Sequence, residues 1–351
     1  MEQISLFEEP YTLLNSGVAA LKALRLTEAR EIFREYGELY RDFGAVEVYM
    51  KLTEFLHEGL AGIDKTAPDA PGRLWRLWKD FENHAATMKI PGAGLLSDLR
   101  GVYFSMATTV VETMGLAEAP WFEDGLPTGL LYLEAGDCDR AIASLQTCIP
   151  TSAYNASAYG YLGDAYLLRG DRGDTEVARR CYLEACLVNP AGIDWEHVKD
   201  EALLSLRATL QDEYPEGGNE GDGISAIGDS GEETSGTGPG RDGDLTLALA
   251  WLPAHAYTTA LFKPKIIRLK DEFTAFLDDF QILEKRYRKD NSAQIGASLF
   301  FRAIILCDNE TSLRLIKGMD FADIRRQMKE IHPELFTDYL RVIKERKIKP
   351  R

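Results

Sequence analysis

Asp194, Glu196 and His197 fall together in GIDWEHVKD, and two carboxylates beside an imidazole are the groups from which metal centres and general acid–base pairs are built. A zinc site needs further ligands at fixed spacing, and neither a second histidine nor a matching carboxylate motif lies near this one. An aspartate ahead of a helical pattern more often caps it, so Asp194 is expected to open a helix over about 193–213, IDWEHVKDEALLSLRATL. Cys181 and Cys186 are five apart on one helical pattern, about 140° around its axis, and so read as packing residues that do not share a face. His332 precedes a proline in EIHPELF and marks a helix boundary, while His57, His84 and His255 have no base or nucleophile at a useful spacing. Asp278 and Asp279 read as a solvated helix surface. No nucleophile elbow, Walker loop or HExxH occurs. The expectation is a chain without catalytic, metal or cofactor residues, an enzyme with dispersed residues being the lesser alternative.

The elements around these residues belong to a helical protein. With 351 residues, 45% of them hydrophobic, the chain is long enough for more than one domain with a sizeable core. No apolar run approaches membrane length and the first residues lack the pattern of a secretory signal, so the chain reads as cytoplasmic. Five cysteines without a CxxC pair (Cys138, Cys148, Cys181, Cys186, Cys307) fit a reducing compartment. The net charge of −16 argues against direct nucleic-acid binding, because a polyanion is repelled at long range. That charge is uneven: residues 263–351 hold 20 Lys and Arg against 14 Asp and Glu, and residues 1–262 hold 20 against 42.

Residues 215–244, PEGGNEGDGISAIGDSGEETSGTGPGRDGD, carry eight acids, one arginine and almost no large apolar side chain. Such a stretch cannot bury enough surface to offset its ordering entropy and reads as a disordered acidic linker. Its GGNEGDG lacks the preceding strand and following lysine of a phosphate loop. The organisation expected is an N-terminal peptide at 1–10, a helical array at 11–214, the linker, and a helical module at 245–351. In that module Phe273, Phe276, Leu277 and Phe280 share a face, and Asp320 and Asp323 stand at a helix start. The basic stretches EKRYRK at 284–289 and KERKIKPR at the end read as solvated helix ends.

Helical periodicity dominates the array. From Gly17, GVAALKALRLTEAREIFREY reads as a hairpin, with Thr27 as the N-cap of its second helix. Leu74, Trp75, Leu77, Trp78 and Phe81 make one broad core stripe, and Leu95 to Met114 forms another apolar helix. Between Gly125 and Leu187 the sequence repeats itself. Gly129 and Gly163, Tyr132 and Tyr166, Gly136 and Gly170, and Asp137 and Asp171 recur at an offset of 34; three extra turn residues then shift Ala141 onto Ala178 and Leu145 onto Tyr182. Small residues allow two helices to approach, the aromatics fill the space beside them, and Gly-Asp ends each first helix.

These residues resemble the tetratricopeptide repeat family. Tyr159, Leu162, Gly163 and Tyr166, followed by Ala178, Tyr182, Ala185 and Pro190, stand where that family has its Trp, Leu, Gly, Tyr, Ala, aromatic, Ala and Pro. The resemblance covers about 120–190 and, more weakly, 11–44. It implies an all-α solenoid of antiparallel helix pairs, and a non-enzymatic scaffold whose partner, a protein or peptide, lies on the inner face. Carried over by position, the groove residues are Leu130, Glu134, Ser157, Tyr161, Asp164 and Leu168. One subclass of the family grips an acidic chaperone tail with Lys and Asn, but Gly160 and Asp164 stand at those positions, and Asp would repel a carboxylate. An extended or helical partner with apolar anchors and some positive charge suits this set better.

One motif lies outside the array. Gln3, Ile4, Ser5, Leu6 and Phe7 resemble the pentapeptide by which bacterial polymerases and repair proteins dock on the replication sliding clamp, with Ile4 in place of Leu. The resemblance implies Leu6 and Phe7 in an apolar pocket of the clamp and Gln3 in polar contact beside it. Local packing of Leu6 and Phe7 onto the first hairpin is the alternative.

Overall fold

The computed structural model describes residues 8–40, 46–88, 94–123, 125–151, 155–215, 246–313 and 320–348. The fold is all-α, with a single two-stranded pairing among the described residues. Two compact units divide at Thr151/Ser152.

The first unit holds α1 (Glu8–Lys22), α2 (Leu26–Leu39), α3 (Val46–Ala61), α4 (Ala70–Ala86), α5 (Leu95–Thr113), α6 (Thr128–Glu134) and α7 (Cys138–Cys148). Gly17 in α1 leaves room for the ring of Phe33 in α2, and Phe33 stacks on Tyr49 of α3 with centroids 5.6 Å apart. Thr27 is not the cap of α2. The helix starts two residues earlier than that cap requires, at Leu26 after Arg25, whose guanidinium reaches Glu28 at 2.9 Å. The stripe on α4 is core: Leu74, Trp78 and Phe81 are wholly buried, and Trp78 meets Phe81, Tyr103 and Phe104 at ring separations of 5.3, 5.0 and 5.6 Å. Tyr103 satisfies its hydroxyl on the Leu74 carbonyl at 2.8 Å. Two short antiparallel strands, β1 (Trp121–Glu123) and β2 (Leu126–Pro127), lead into α6, pairing Trp121 with Pro127.

The second unit holds α8 (Ala156–Arg169), α9 (Asp174–Val188), α10 (Glu201–Glu213), α11 (Leu247–Thr258), α12 (Lys270–Asp290), α13 (Ala293–Asp308), α14 (Glu310–Leu313), α15 (Phe321–Ile331) and α16 (Pro333–Ile348). The helices on both sides of the acidic segment share one apolar core, from Ala178, Tyr182 and Cys186 through Trp251 and Leu252 to Phe300, Ile304 and Tyr339. The linker from Glu216 to Asp244 lies outside the described residues. α11 is apolar nearly all round and is buried from Ala248 to Ala254. Asn309, 2% exposed, holds the chain between α11 and α12: its amide accepts from Ile267 N–H at 3.0 Å and donates to the Lys265 carbonyl at 2.7 Å. Asp308 accepts from the Tyr257 hydroxyl and faces Arg346 of α16 at 3.7 Å; burial nevertheless pushes its carboxyl up to about 6. Asp320 caps α15 through the N–H groups of Ala322 and Asp323. Residues 284–289 form the last turns of α12, where Arg288 pairs with Glu284 at 2.8 Å.

The expected helix over about 193–213 is shorter than its sequence pattern. Residues 193–200 are not helical, and α10 starts at Glu201 behind Asp200, whose carboxylate accepts from Ala202 N–H at 3.0 Å and Leu203 N–H at 3.1 Å. Asp194 is turned to another use, described below.

The repeated glycines close their hairpins in the same manner. A Cβ on Gly129 would sit 2.6 Å from Leu145 Cγ and 3.0 Å from the Ala141 carbonyl; one on Gly163 would sit 2.9 Å from the Tyr182 ring and 3.2 Å from the Ala178 carbonyl. Gly101, in the interior of α5, would meet nothing within 4 Å. The two positions therefore predict opposite signs. Gly101→Ala is expected to stabilise by about 0.5–1 kcal/mol through backbone entropy. Gly163→Ala is expected to destabilise by about 1–2 kcal/mol, overpacking outweighing the same gain. Chemical denaturation of both variants decides it; equal shifts would mean that the hairpin is not tightly closed.

Candidate functional site

The α8–α9 hairpin gathers most of the residues singled out as a groove. Asn155 caps α8 through the Ala158 N–H at 3.0 Å, and Gly170, with φ of 72°, ends it in the left-handed conformation that a side chain would resist. Arg169 then folds back on Asp174 at the head of α9, at 2.8 Å, which lowers the Asp174 carboxyl chiefly through that hydrogen bond. The turn is thus fixed at both ends, and the inner side of α8 faces the chain that leaves α9.

That chain, Pro190 to Lys199, lies along the face. Ser157 donates to the Gly192 carbonyl at 2.6 Å, and Tyr161 donates to Asp194 at 2.8 Å. Asp164, 1% exposed, accepts from the Tyr182 hydroxyl, from His197 Nδ1 at 2.9 Å and from the Lys199 backbone N–H at 2.7 Å. Its three donors come from α9 and from two points of the following segment, so one carboxylate fastens the segment to both helices. Because Nδ1 is a donor here, the imidazole is held in a defined orientation, and its ring meets Tyr161 edge-on at 5.0 Å. Ile193, Trp195 and Val198 are buried between these polar points. Trp195 donates to the Pro190 carbonyl at 2.9 Å and lies under the Arg207 guanidinium at 5.1 Å. Arg179 of α9 pairs with the cap Asp200 at 2.8 Å and ends the run.

Of the six groove residues, Leu168 is the exposed one, at 52%. Ser157, Tyr161 and Asp164 are brought together and engaged by 190–199. Leu130 and Glu134 lie on α6 in the first unit, where Leu130 is buried and Glu134 accepts from Arg100 of α5 at 2.9 Å. Gln3, Leu6 and Phe7 lie outside the described residues. Asp194, Glu196 and His197 do not form one centre: Asp194 serves Tyr161, His197 serves Asp164, and Glu196 is exposed. No group of three or more His, Cys, Asp or Glu suited to a metal ion occurs among the described residues. Burial pushes the Cys181 thiol up to about 12 and raises Cys186 further, so both remain protonated, weak nucleophiles. The Tyr182 hydroxyl is likewise raised, by burial and by the charge of Asp164.

The residues missed from the sequence are the ones on the other side of these contacts: Tyr182 as a donor, the Gly192 carbonyl, the Lys199 N–H and Trp195. The signal for them was Asn189-Pro190-Ala191-Gly192, which stops α9 and sends the chain back across α8.

In open clefts elsewhere the arginines of the lining already have partners. One of about 350 Å³ in the first unit is crossed by Arg140, which pairs with Asp137 at 2.7 Å and with Glu112 and lies over Tyr132. One of about 480 Å³ in the second is lined by Arg288 and Arg326, paired with Glu284 and Asp323.

No helix among the described residues is long and apolar enough to cross a membrane. The chain matches no protein-family model, no curated protein and no solved structure. Its class rests on its own residues: an all-α protein in which the inner side of a helical hairpin is complementary to an extended segment.

Proposed function

We propose that this chain is a non-enzymatic, tetratricopeptide-like scaffold of the cytoplasm that holds other proteins through the inner faces of its helical hairpins. The observation that supports this reading is the seating of 190–199 on α8. Backbone groups of the segment, the Gly192 carbonyl and the Lys199 N–H, are met by Ser157 and Asp164, while Ile193, Trp195 and Val198 enter apolar space. Backbone hydrogen bonds joined to apolar anchors are the chemistry of extended-peptide recognition. On this reading a partner carries apolar anchors and a positive or imidazole group for the Asp164 end. Leu168, exposed at the C-terminal end of α8, is the point at which it extends the existing contact. Leu168→Glu leaves the buried network intact, so proteins captured by the wild type and lost by this folded variant would be partners of the face. Capture of the same proteins in the same amounts by both forms overturns the assignment.

A second reading rests on Gln3–Phe7, which directly precede the start of α1 at Glu8. In it the chain is an accessory factor of bacterial replication or repair, docked on the sliding clamp. Titration of purified clamp with the full chain is expected to show binding that falls at least about tenfold, or ~1.4 kcal/mol, in Leu6→Ala/Phe7→Ala. Equal binding by both proteins, or none by the wild type, removes this reading and leaves the first untouched.

A further inference from the structure

His332 joins four elements of the second unit, one through its backbone and three through its side chain. Its backbone N–H ends α15 on the Met328 carbonyl at 3.0 Å, and its ring Nδ1 accepts from the Leu335 N–H at 3.2 Å. The imidazole thus supplies the N-terminal cap of α16, a place ordinarily taken by a Ser, Thr, Asp or Asn oxygen. An accepting Nδ1 carries no proton, so the proton of this neutral ring sits on Nε2, 3.3 Å from the Tyr214 hydroxyl that follows α10. Trp251 of α11 meets the ring edge-on at 4.7 Å, and His255, one turn further along α11, stands 6.4 Å away.

We propose that His332 is an acid-sensitive latch: protonation at Nδ1 uncaps α16 and lets the end of α10 go. A protonated Nδ1 points a donor at the Leu335 donor and places a positive charge at the positive end of the helix dipole. The ring must then turn out of the cap, and a turned ring no longer presents Nε2–H to Tyr214. The groups facing this junction come from every neighbouring element. Glu213 and the following Tyr214 come from the end of α10, His255 from α11, and Glu334 and Asp338 from α16; Lys329 and Glu330, in the last turn of α15, are exposed. His255 is kept below the ordinary histidine range chiefly by burial, and its Nε2 has no hydrogen-bond partner. Its sign is the same as the latch's. A histidine whose folded value is depressed contributes stability above its unfolded value, and this is lost as pH falls below that value. Asp308, near the other end of α16, acts in the opposite sense, since a carboxyl raised to about 6 favours the folded state as pH falls through that value. The readout must therefore be local to residues 333–338 and 210–214.

Amide hydrogen exchange of the full chain at pH 7.5 and 5.5, corrected for intrinsic rates, makes the test. The wild type is expected to lose protection roughly fivefold over both segments at the lower pH, the size of an ordinary cap. His332→Asn supplies a capping oxygen that does not titrate, and is expected to be equally protected at both pH values. His332→Ala is expected to show, at both pH values, the roughly fivefold lower protection that the wild type shows only at pH 5.5. Wild-type protection that does not change with pH, or the same change in His332→Asn, overturns the proposal. Should the variants not fold, an NMR titration of the wild type decides: the Leu335 amide must move with the His332 ring protons at a shared midpoint, and independent movement sinks the latch.

Discussion

Asp164→Ala is expected to lower the stability of the second unit by about 3–5 kcal/mol, because it removes one carboxylate from three donors at once, two of them on buried side chains. The Tyr182 hydroxyl, His197 Nδ1 and the Lys199 N–H all end on this carboxylate, and the first two belong to buried side chains. Asp164→Asn keeps the shape and one accepting oxygen, so its cost is expected at about 1–3 kcal/mol. Tyr182→Phe removes a single donor and leaves the carboxylate two others, for about 1–2 kcal/mol. Urea denaturation followed by circular dichroism gives the order Ala, Asn, Phe. An Asp164→Ala protein as stable as the wild type to within about 1 kcal/mol would mean that the segment 190–199 is held by its apolar side chains alone.

The same residue shows where a sequence is readable and where it is not. Gly163, Ala178 and Tyr182 are legible because the physics behind them is local and repeated: a missing Cβ, a small facing residue and a bulky side chain beside them recur as Gly129, Ala141 and Leu145. The aromatic stripe of α4 is legible for a related reason, since its apolar spacing is satisfied only by a buried helix face. The start of α10 was misread because two aspartates compete for the same role. Asp194 and Asp200 both precede helix-forming residues, and nothing between them forbids a turn. What decides is a hydrogen bond 35 residues away in sequence, from Lys199 N–H to Asp164, which holds the chain outside a helix until Asp200. Long-range polar contacts leave no periodic trace. The shared core of the second unit is hidden in another way. Tyr159, Leu187 and Val188 are the apolar outer side chains that any stacked hairpin needs, and they do not reveal that the helices packed against them come from beyond the acidic segment. Gln3, Leu6 and Phe7 stand apart, since a five-residue resemblance gains support only from a binding measurement.

Trp195→Ala is the substitution that separates a receptor face from a plain core. The indole is 9% exposed, donates to the Pro190 carbonyl at 2.9 Å and carries Arg207 over its ring, so its loss is expected to cost about 3–5 kcal/mol. Trp195→Phe keeps most of the apolar area and loses the donor, and about 1–2 kcal/mol is expected for it. Because the segment is tethered at both ends, its effective concentration over α8 is of millimolar order, and a free peptide cannot compete with it in the wild type. Without the indole the tethered segment is weakened while Ser157, Tyr161 and Asp164 are unchanged, and the face becomes open to an intact copy of the same chemistry. A labelled peptide of residues 189–200 is therefore expected to bind Trp195→Ala, and not the wild type, in fluorescence anisotropy. It should also raise the denaturation midpoint of the variant in proportion to its concentration. A folded Trp195→Ala protein that ignores the peptide would show that α8 holds 190–199 only as part of its own interior, and the inner face would lose its claim as the place where partners are met.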